Sequence, residues 1–240
     1  MINHDADTAT SRSIRPCTAR TDSPQTNREP AEIRRKLNLL DEQRMAPLSN
    51  FVRQLRAMRP DDSIPWFDPT EAGVESRILR LGEAPGPGAV TERGGSGFVS
   101  PDTNDQSASN MWSLLRDASI DRCHEIVSWN VIPWYIGSDR KIRAPRADDI
   151  RDAKAHLIEV VRLLGPNLRI VVLLGKTAAA AWRLVGIDLP VIFAPHPSPQ
   201  NLNTHPENRP KILNALRDAR ASAGYVGKET LPSVENSVFV

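Results

Sequence analysis

The segment Leu168-Arg169-Ile170-Val171-Val172-Leu173-Leu174-Gly175-Lys176-Thr177 decides the fold class. Apart from Arg169 its first seven residues are apolar, as in a strand that is covered on both faces of a parallel sheet. An alanine-rich segment that is typical of a helix follows up to about Val185, and a second short apolar run follows at Leu189–Phe193. A strand, a helix and a strand in this order indicate a parallel sheet with helices packed on its faces.

The same alternation extends toward the start of the chain. Arg77–Leu81 and Glu125–Ile132 have strand character, and Ala147–Leu164 has the apolar stripe of a helix, with acidic residues at its start. Another helix is expected after Ser107 or Ser109, either of which could cap it, and a closing helix from about Asn208 to Ala221. We therefore predict an α/β fold with a central, mainly parallel four-stranded sheet flanked by helices in three α/β/α layers.

Length and composition predict one domain with two tails. The chain has 240 residues, of which 40% are hydrophobic, enough for one sizeable core. Residues 1–30 are polar and lack apolar periodicity, so we expect a disordered tail. The domain should span residues 31–223, and residues 224–240 should form a second tail. Residues 31–60 should be a helical extension, broken near Pro47, whose apolar stripe, with Ile33, Leu37 and Leu40 at its start, packs on the core.

Charge and cysteine content exclude several classes of protein. The net charge of +2 neither requires nor excludes a polyanionic partner. Cys17 and Cys123 are too few for a disulfide framework or a four-thiolate metal site, which favours a reducing compartment. No run of about 18 apolar residues is present, so we expect no membrane partner and a cytoplasmic, intracellular protein that is a monomer.

Unusual polar residues stand where the predicted strands end. Glu83 follows the first strand, Asn130 ends the second, and His196 follows the last in the proline-rich loop Ala194–Leu202. Ligands of open α/β sheets bind beyond the carboxyl ends of the strands. These three residues should therefore converge on one crevice.

Three loops carry a resemblance to a known family. Gly82-Glu83-Ala84-Pro85-Gly86, Trp129-Asn130-Val131-Ile132-Pro133 and His196-Pro197-Ser198-Pro199, in this order and with Phe98 between the first two, resemble the uracil-DNA glycosylase superfamily. The likeness spans about Leu79 to Arg217. It implies a uracil-DNA glycosylase-like fold and excision of uracil from DNA.

The Gly-Glu-Ala-Pro-Gly form is similar to the superfamily branch that carries an iron–sulfur cluster. Such a cluster needs four cysteine ligands, and this chain has only two cysteines. It is therefore more similar to a cluster-free relative, for which we expect no cofactor. The histidines also lack the spacing of a metal site, so no metal is expected.

Excision of uracil defines what the two candidate catalytic residues must do. Cleavage of the N-glycosidic bond leaves positive charge on the sugar and negative charge on the departing base. His196 would donate a hydrogen bond to O2 of the base as that charge develops. Glu83 would orient or activate water or stabilise the sugar, unless it only anchors its loop.

Other residues would bind the substrate. Asn130 offers the acceptor and donor that read N3–H and O4 of uracil, or it closes a turn. Phe98 would stack on the flipped base, or it is a core plug under its loop. The backbone of Gly82, Ala84, Pro85 and Gly86 would approach the base or a phosphate closely, and Ser198 would hold a phosphate.

The remaining loops predict how DNA is held. Arg140, Lys141, Arg143 and Arg146 could form a positive rim, or simply a solvated face. The resemblance implies an apolar wedge after the second proline of the histidine loop, but polar Gln200 and Asn201 stand there, with Leu202 next. Single strands or mismatches would then be easier substrates than paired DNA.

Three hypotheses of function remain open from the residues alone. The first is a cofactor-free glycosylase that removes uracil, or a related damaged base, from DNA in base-excision repair. The second is a noncatalytic nucleic-acid or nucleobase-binding protein on the same fold. The third is a small-molecule hydrolase that uses His196 and Glu83.

Overall fold

The structure, a computed structural model, describes residues 23–139 and 141–225. The helices are α1 (Pro30–Leu37), α2 (Ala46–Met58), α3 (Gln106–Asp117), α4 (Ala147–Leu164), α5 (Gly175–Val185), α6 (Pro199–Thr204) and α7 (Asn208–Ser222). The strands are β1 (Trp66–Phe67), β2 (Ile78–Gly82), β3 (Phe98–Val99), β4 (Ile126–Asn130), β5 (Gly137–Ser138), β6 (Lys141–Ile142), β7 (Ile170–Leu174) and β8 (Val191–Ala194).

The central sheet has four parallel strands in the order β4-β2-β7-β8. Strands β2, β4 and β7 are buried along their whole length, as the apolar run at Leu168–Leu174 predicts for a sheet covered on both faces. β1 pairs with β3, and β5 with β6, in two small separate sheets. The predicted four-stranded α/β fold is confirmed.

Successive side chains of the central strands point to opposite faces, and each face carries its own core. Leu79, Leu81 and Trp129 belong to one core together with apolar residues of α2, α4 and α5. Ile78 and Val172 belong to the other, which is completed by α3 and α7. These two cores form the predicted three-layer α/β/α arrangement.

The described part of the N-terminal stretch lies against the domain. Residues 1–22 of the predicted tail fall outside the described residues, as do Arg140 and residues 226–240 of the second tail. A 3-10 turn covers Thr26–Arg28, Asn27 is buried, and Gln25 Nε2 donates to Ser109 Oγ at 2.8 Å. The turn at Thr26–Arg28 and the residue before it therefore contact the domain through Ser109.

Two local predictions are wrong. Helix α3 is capped by Asp105, whose Oδ1 accepts from the backbone N–H of Ala108 at 2.9 Å, and neither serine caps it. In α1 the apolar stripe is not the buried face, since Leu37 is 43% exposed while Lys36 is fully buried. Lys36 is buried in place of the apolar Leu37 because its charged partners are buried as well.

Those partners form a cluster that we call the buried ion cluster: Lys36, Asp68, Asp102 and Arg122. Lys36 Nζ donates to Asp68 Oδ2 at 2.8 Å and to Asp102 Oδ2 at 2.9 Å. The two terminal nitrogens of Arg122 donate to the two carboxylate oxygens of Asp102, at 2.8 and 3.0 Å. The cluster thus joins α1 to the loop that follows β3 and to the segment before β4.

Two findings bear on the predicted compartment. Cys123 is buried and is not a free thiol, so the cysteines give no support to the predicted reducing compartment. Over residues 23–139 and 141–225, none of the helices combines the length and apolar character needed to span a bilayer.

Candidate active site

A cavity opens at the carboxyl ends of the central strands, on the side of the sheet that packs against α3. It is an open cleft with a cavity volume of about 110 Å³. Six of the predicted site residues line it, namely Gly82, Ala84, Pro85, Gly86, Asn130 and His196. Strand ends that are far apart in sequence therefore meet at one place, as expected for an open parallel sheet.

Asn130 is placed by its pairing with Gly82. The two residues are opposite each other in the register of β2 and β4. A Cβ atom on residue 82 would lie 2.6 Å from Asn130 Oδ1, so glycine makes room for the amide. Asn130 is buried and lines the cavity, which leaves its amide available to a ligand.

The histidine loop is fixed by three asparagines. Asn110 of α3 donates to the carbonyl of Pro197 at 2.9 Å, and Asn201 Nδ2 donates to the carbonyl of His196 at 2.7 Å. Asn208 in turn donates to Asn201 Oδ1 at 3.0 Å. These bonds fix the carbonyl of His196 and that of the next residue, so the imidazole is presented to the cavity from a rigid support.

The electrostatics of the cavity keep His196 neutral. Burial lowers the pKa of His196 below its ordinary value, and the positive charge of Arg80 lowers it further. A neutral imidazole can donate a hydrogen bond without transferring a proton, because one ring nitrogen keeps its hydrogen. This state fits the role that the sequence predicts for His196.

Arg80 belongs to a hydrogen-bonded chain behind the cavity. Arg80 Nε donates to Ser128 Oγ at 3.0 Å, and Ser128 donates to Glu71 from its backbone N–H at 2.6 Å and from Oγ at 2.7 Å. Burial raises the pKa of Glu71 to about 7, although the nearby charges of Arg122 and Arg80 oppose the rise. Glu71 is thus a fully buried carboxyl group that titrates near neutrality.

Three predicted site residues lie outside the cavity lining. Glu83 is half-buried in the loop that rims the cavity, between the lining residues Gly82 and Ala84. Ser198 caps α6, where its Oγ accepts from the N–H of Asn201 at 3.4 Å. Phe98 is fully buried, with Lys36 Nζ 5.9 Å from its ring centroid, which is the position of a core plug and not of an exposed stacking surface.

Two residues of the loops predicted to hold DNA, Arg143 and Leu202, have partners within the protein. Arg143 pairs with both carboxylate oxygens of Asp149, at 2.6 and 2.7 Å, so its charge is compensated. Lys141 and Arg146 are exposed and Arg140 lies outside the described residues. Leu202 packs on the α3–α7 core, so it is not free to act as a wedge.

The aromatic residues at the end of β4 and in the loop that follows do not form a wall of the cavity. Trp129 stacks on Phe67 with ring centroids 3.7 Å apart, on the opposite face of the sheet from the cavity. Trp134 and Tyr135 are buried but are absent from the lining. The wall opposite the sheet is instead built from α3 and the loop before it.

Two charged residues of the lining escaped sequence reasoning. Arg80 lines the cavity from the middle of β2, and Asp105 lines it from the start of α3. The signal for Arg80 was visible, since a charged residue inside a buried strand is costly unless it has a function or a partner. Asp105 carried only the signal of a helix cap.

The pH dependence of stability gives a first prediction. The pKa of Glu71 is about 7 in the folded protein and near its ordinary value of 4.5 when unfolded, so folding takes up a proton between these values. The stability that Glu71 contributes is therefore complete at low pH and is lost as the pH rises through about 7.

Glu71→Gln removes this titration and keeps the side chain's shape. We expect the free energy of unfolding of the variant to gain on that of the wild type between about pH 5 and about pH 8, measured by urea denaturation. Asp68 and Asp102 do not titrate in this pH range. Their pKa values are lowered, so their stabilising charges are lost only as the pH falls. A difference between the two proteins that stays constant with pH would contradict the prediction.

Comparison with known proteins assigns the chain to a family. Among the solved structures that resemble the chain is the solution NMR structure of a candidate uracil DNA glycosylase from Methanosarcina acetivorans, at 18% identity, over 61% of this chain and 92% of that one, with a TM-score of 0.40. No curated protein matches the chain. Among the described residues, no group of histidine, cysteine and acidic side chains is arranged to hold a metal ion. The model of the uracil DNA glycosylase superfamily matches residues 69–220, more than half of the chain, and the chain therefore belongs to that superfamily.

Proposed function

We propose that this protein is a DNA glycosylase that hydrolyses the N-glycosidic bond of uracil, or of a related damaged base, in DNA. The observation that carries the proposal is the convergence of the Gly82–Gly86 loop, Asn130 and His196 on one cavity. The superfamily supports a DNA glycosylase-like function. No cofactor is needed for this hydrolysis, and the protein would act as a monomer on DNA.

The roles follow from the charges of the reaction. Asn130 would bind N3–H and O4 of uracil, since its amide carries an acceptor and a donor. Neutral His196 would donate to O2 of the departing base, a preorganised interaction that strengthens as negative charge develops. The base must leave the helix to reach this cavity, which favours single-stranded or mismatched sites.

Glu83 would orient the attacking water from the cavity rim. Its carboxylate accepts no hydrogen bond among the described residues, so both oxygens are available to water or sugar. Asp105 is the competing carboxylate, but its Oδ1 already caps α3, and burial raises its pKa, which favours the neutral form. Ser198 would hold a phosphate together with the neighbouring backbone amides, although its Oγ also caps α6.

The direct test is an excision assay on matched oligonucleotides. Purified protein is incubated with single-stranded, mismatched and fully paired DNA that contains one uracil, and abasic sites are counted after alkaline cleavage. We expect product in all three contexts, most rapidly from single strands and mismatches. No abasic product in any context would exclude uracil excision.

The noncatalytic alternative has one observation in its favour, because Glu83 is absent from the cavity lining. DNA binding that weakens with salt and survives both Glu83→Ala and His196→Ala, without abasic product from the wild type, would select it. Failure to bind DNA at low salt would instead favour a small-molecule hydrolase.

Asn130→Asp tests base selection. The substitution keeps the shape beside Gly82 but replaces the amide donors with acceptors. We expect discrimination between uracil and cytosine to fall by about 1–3 kcal/mol, roughly tenfold to a hundredfold, as when one bidentate contact is lost. The ratio of excision rates on the two bases measures it, with urea denaturation as the control for folding. Unchanged discrimination in a folded variant would remove Asn130 from base recognition.

A further inference from the structure

Arg80 is a buried cation that faces the cavity. Its exposed fraction is 9%, and its guanidinium stands among otherwise apolar residues of β2. Burying a charge is costly unless partners compensate for it. Arg80 Nε donates to Ser128, whereas the two terminal nitrogens have no hydrogen-bond partner among the described residues.

The guanidinium is held rigidly from behind. Ser128 is fully buried and is itself fixed by two hydrogen bonds to Glu71. The contact with Ser128 therefore orients Arg80, while its remaining N–H groups are left for a ligand. Arg80 shares the cavity lining with Asn130 and His196, and its charge is felt at His196.

The described lining of the cavity carries one basic and one acidic side chain. Arg80 is the one arginine or lysine among the described lining residues, and Asp105 is the one carboxylate. Asn130 is uncharged and His196 is held neutral, so neither can supply a full positive charge. A cation with unused donors beside a neutral donor and an amide fits an anion with carbonyl oxygens.

Resting on the proposed function, we infer that Arg80 is a further catalytic residue that donates its terminal N–H groups to the departing base and stabilises it as an anion. In the step concerned, the bond between the sugar carbon and the base nitrogen breaks and both electrons go to the base. Water adds to the sugar carbon and loses a proton to Glu83 or solvent. The base anion is held by Arg80 until it takes up a proton from water and leaves.

The substrate class follows from this role. The leaving base must carry its negative charge partly on carbonyl oxygens, as uracil and its 5-substituted derivatives do. A catalyst that stabilises the anion matters most for bases that are poor leaving groups. Departure of a base with a more acidic N–H group depends less on the cation. A catalytic Arg80 therefore predicts a smaller loss of rate for such bases when Arg80 is replaced, whereas a structural Arg80 predicts equal losses.

The activity test compares two leaving groups in the same oligonucleotide. We expect Arg80→Met to slow excision of uracil about a hundredfold, the cost typical of removing one preorganised donor, and to slow excision of 5-fluorouracil less. Arg80→Gln, which is polar but uncharged, should behave in the same way. Arg77→Met, just before the same strand and exposed, is the matched control and should excise both bases at wild-type rates.

A binding test keeps this inference separate from the proposed function. Calorimetry at neutral pH compares free uracil, which is neutral, with 5-nitrouracil, which is an anion. We expect the wild type to prefer the anion and Arg80→Met to lose about tenfold to a hundredfold of that preference, the range for a charge-assisted hydrogen bond.

The outcomes are distinguishable. Equal losses on both leaving groups, or an anion preference that is unchanged in both Arg80 variants, would overturn the role of Arg80. Wild-type protein that prefers the anion through Arg80 but releases no base from any DNA would overturn the proposed function, and the catalytic role with it, and would leave an anion-binding site.

Discussion

Lys36→Met should lower the free energy of unfolding by about 3–5 kcal/mol, the largest stability effect that we expect of one substitution in this protein. Lys36 is fully buried, and its ammonium group contacts two carboxylates, those of Asp68 and Asp102. Methionine fills a similar volume but leaves Arg122 as the one cation in the cluster that faces those carboxylates. The cost arises because a buried charge without its partner cannot regain its hydration.

The pKa values of the carboxyl groups support this reading. Burial by itself would raise the pKa of Asp68, yet the charges of Lys36 and Arg122 hold that pKa below its usual range. Asp102 behaves in the same way, with Arg122 as its stronger partner. Both groups are therefore ionised in the folded protein, and each depends on the cations.

Arg35→Met is the matched control for Lys36→Met. Arg35 is the preceding residue of α1 and pairs with Glu32 one turn away, but its side chain is 34% exposed. A partly exposed surface pair of this kind contributes about 0–1 kcal/mol. Urea denaturation of both variants should show a loss at position 36 alone, and Lys36→Met combined with Asp68→Asn should recover part of it. Equal small losses at both positions would show that the buried ion cluster does not stabilise the fold.

The buried ion cluster also bears on the site. Asp102 lies between Pro101 and Thr103, and both of these residues line the cavity. Lys36 and Arg122 hold Asp102 from the interior, so they fix one wall of the cavity from a distance. Helix α1, which carries Lys36 and lies outside the three-layer core, thereby contributes to the geometry of the site.

The central sheet could be predicted from the sequence because each of its strands is a short, mostly apolar run that ends in a turn or loop. Ile170–Leu174 is apolar throughout, which only a strand covered on both faces requires. Helix α4 was predicted with both its ends, because its apolar stripe and acidic first turn agree. Local pattern and tertiary environment point to the same structure in these elements.

Prediction failed where tertiary partners override the local pattern. The stripe of α1 predicts that Leu37 is buried, yet Lys36 is buried in its place because Asp68 and Asp102 arrive from distant segments. Phe98 stands in a glycine-rich loop that suggests an exposed stacking residue, but it forms the short strand β3 and is fully buried. No local signal reveals such partners.

The site was predictable to the extent that it depends on strand ends. That Asn130 and His196 lie at one cavity could be predicted because parallel strands bring their carboxyl ends to one edge. Arg80 was not predicted because it lies inside strand β2, two residues before the Gly82–Gly86 loop. Asn201 was assigned to the place of a wedge, whereas its amide turns back to hold the backbone of His196.

His196→Ala should reduce the rate of base excision by about 10²–10³-fold if the protein is the proposed glycosylase, which is the cost of losing one preorganised donor. Asn110 and Asn201 hold the carbonyls of Pro197 and His196, and the imidazole ring makes no hydrogen bond to the described residues. The loss should therefore appear in the chemical step and leave the free energy of unfolding nearly unchanged. Single-turnover excision of uracil measures it.

His205→Ala is the control, because that histidine is exposed and lies outside the cavity lining. A wild-type rate in His205→Ala, with the expected loss in His196→Ala, assigns the effect to the imidazole in the cavity. Since burial and Arg80 both lower the pKa of His196, the imidazole is neutral at pH 7 and above, so its contribution should not fall as the pH rises to about 8. A His196-dependent rate that declined over this range would require a protonated histidine, and the charge would then have to come from His196 and not from Arg80.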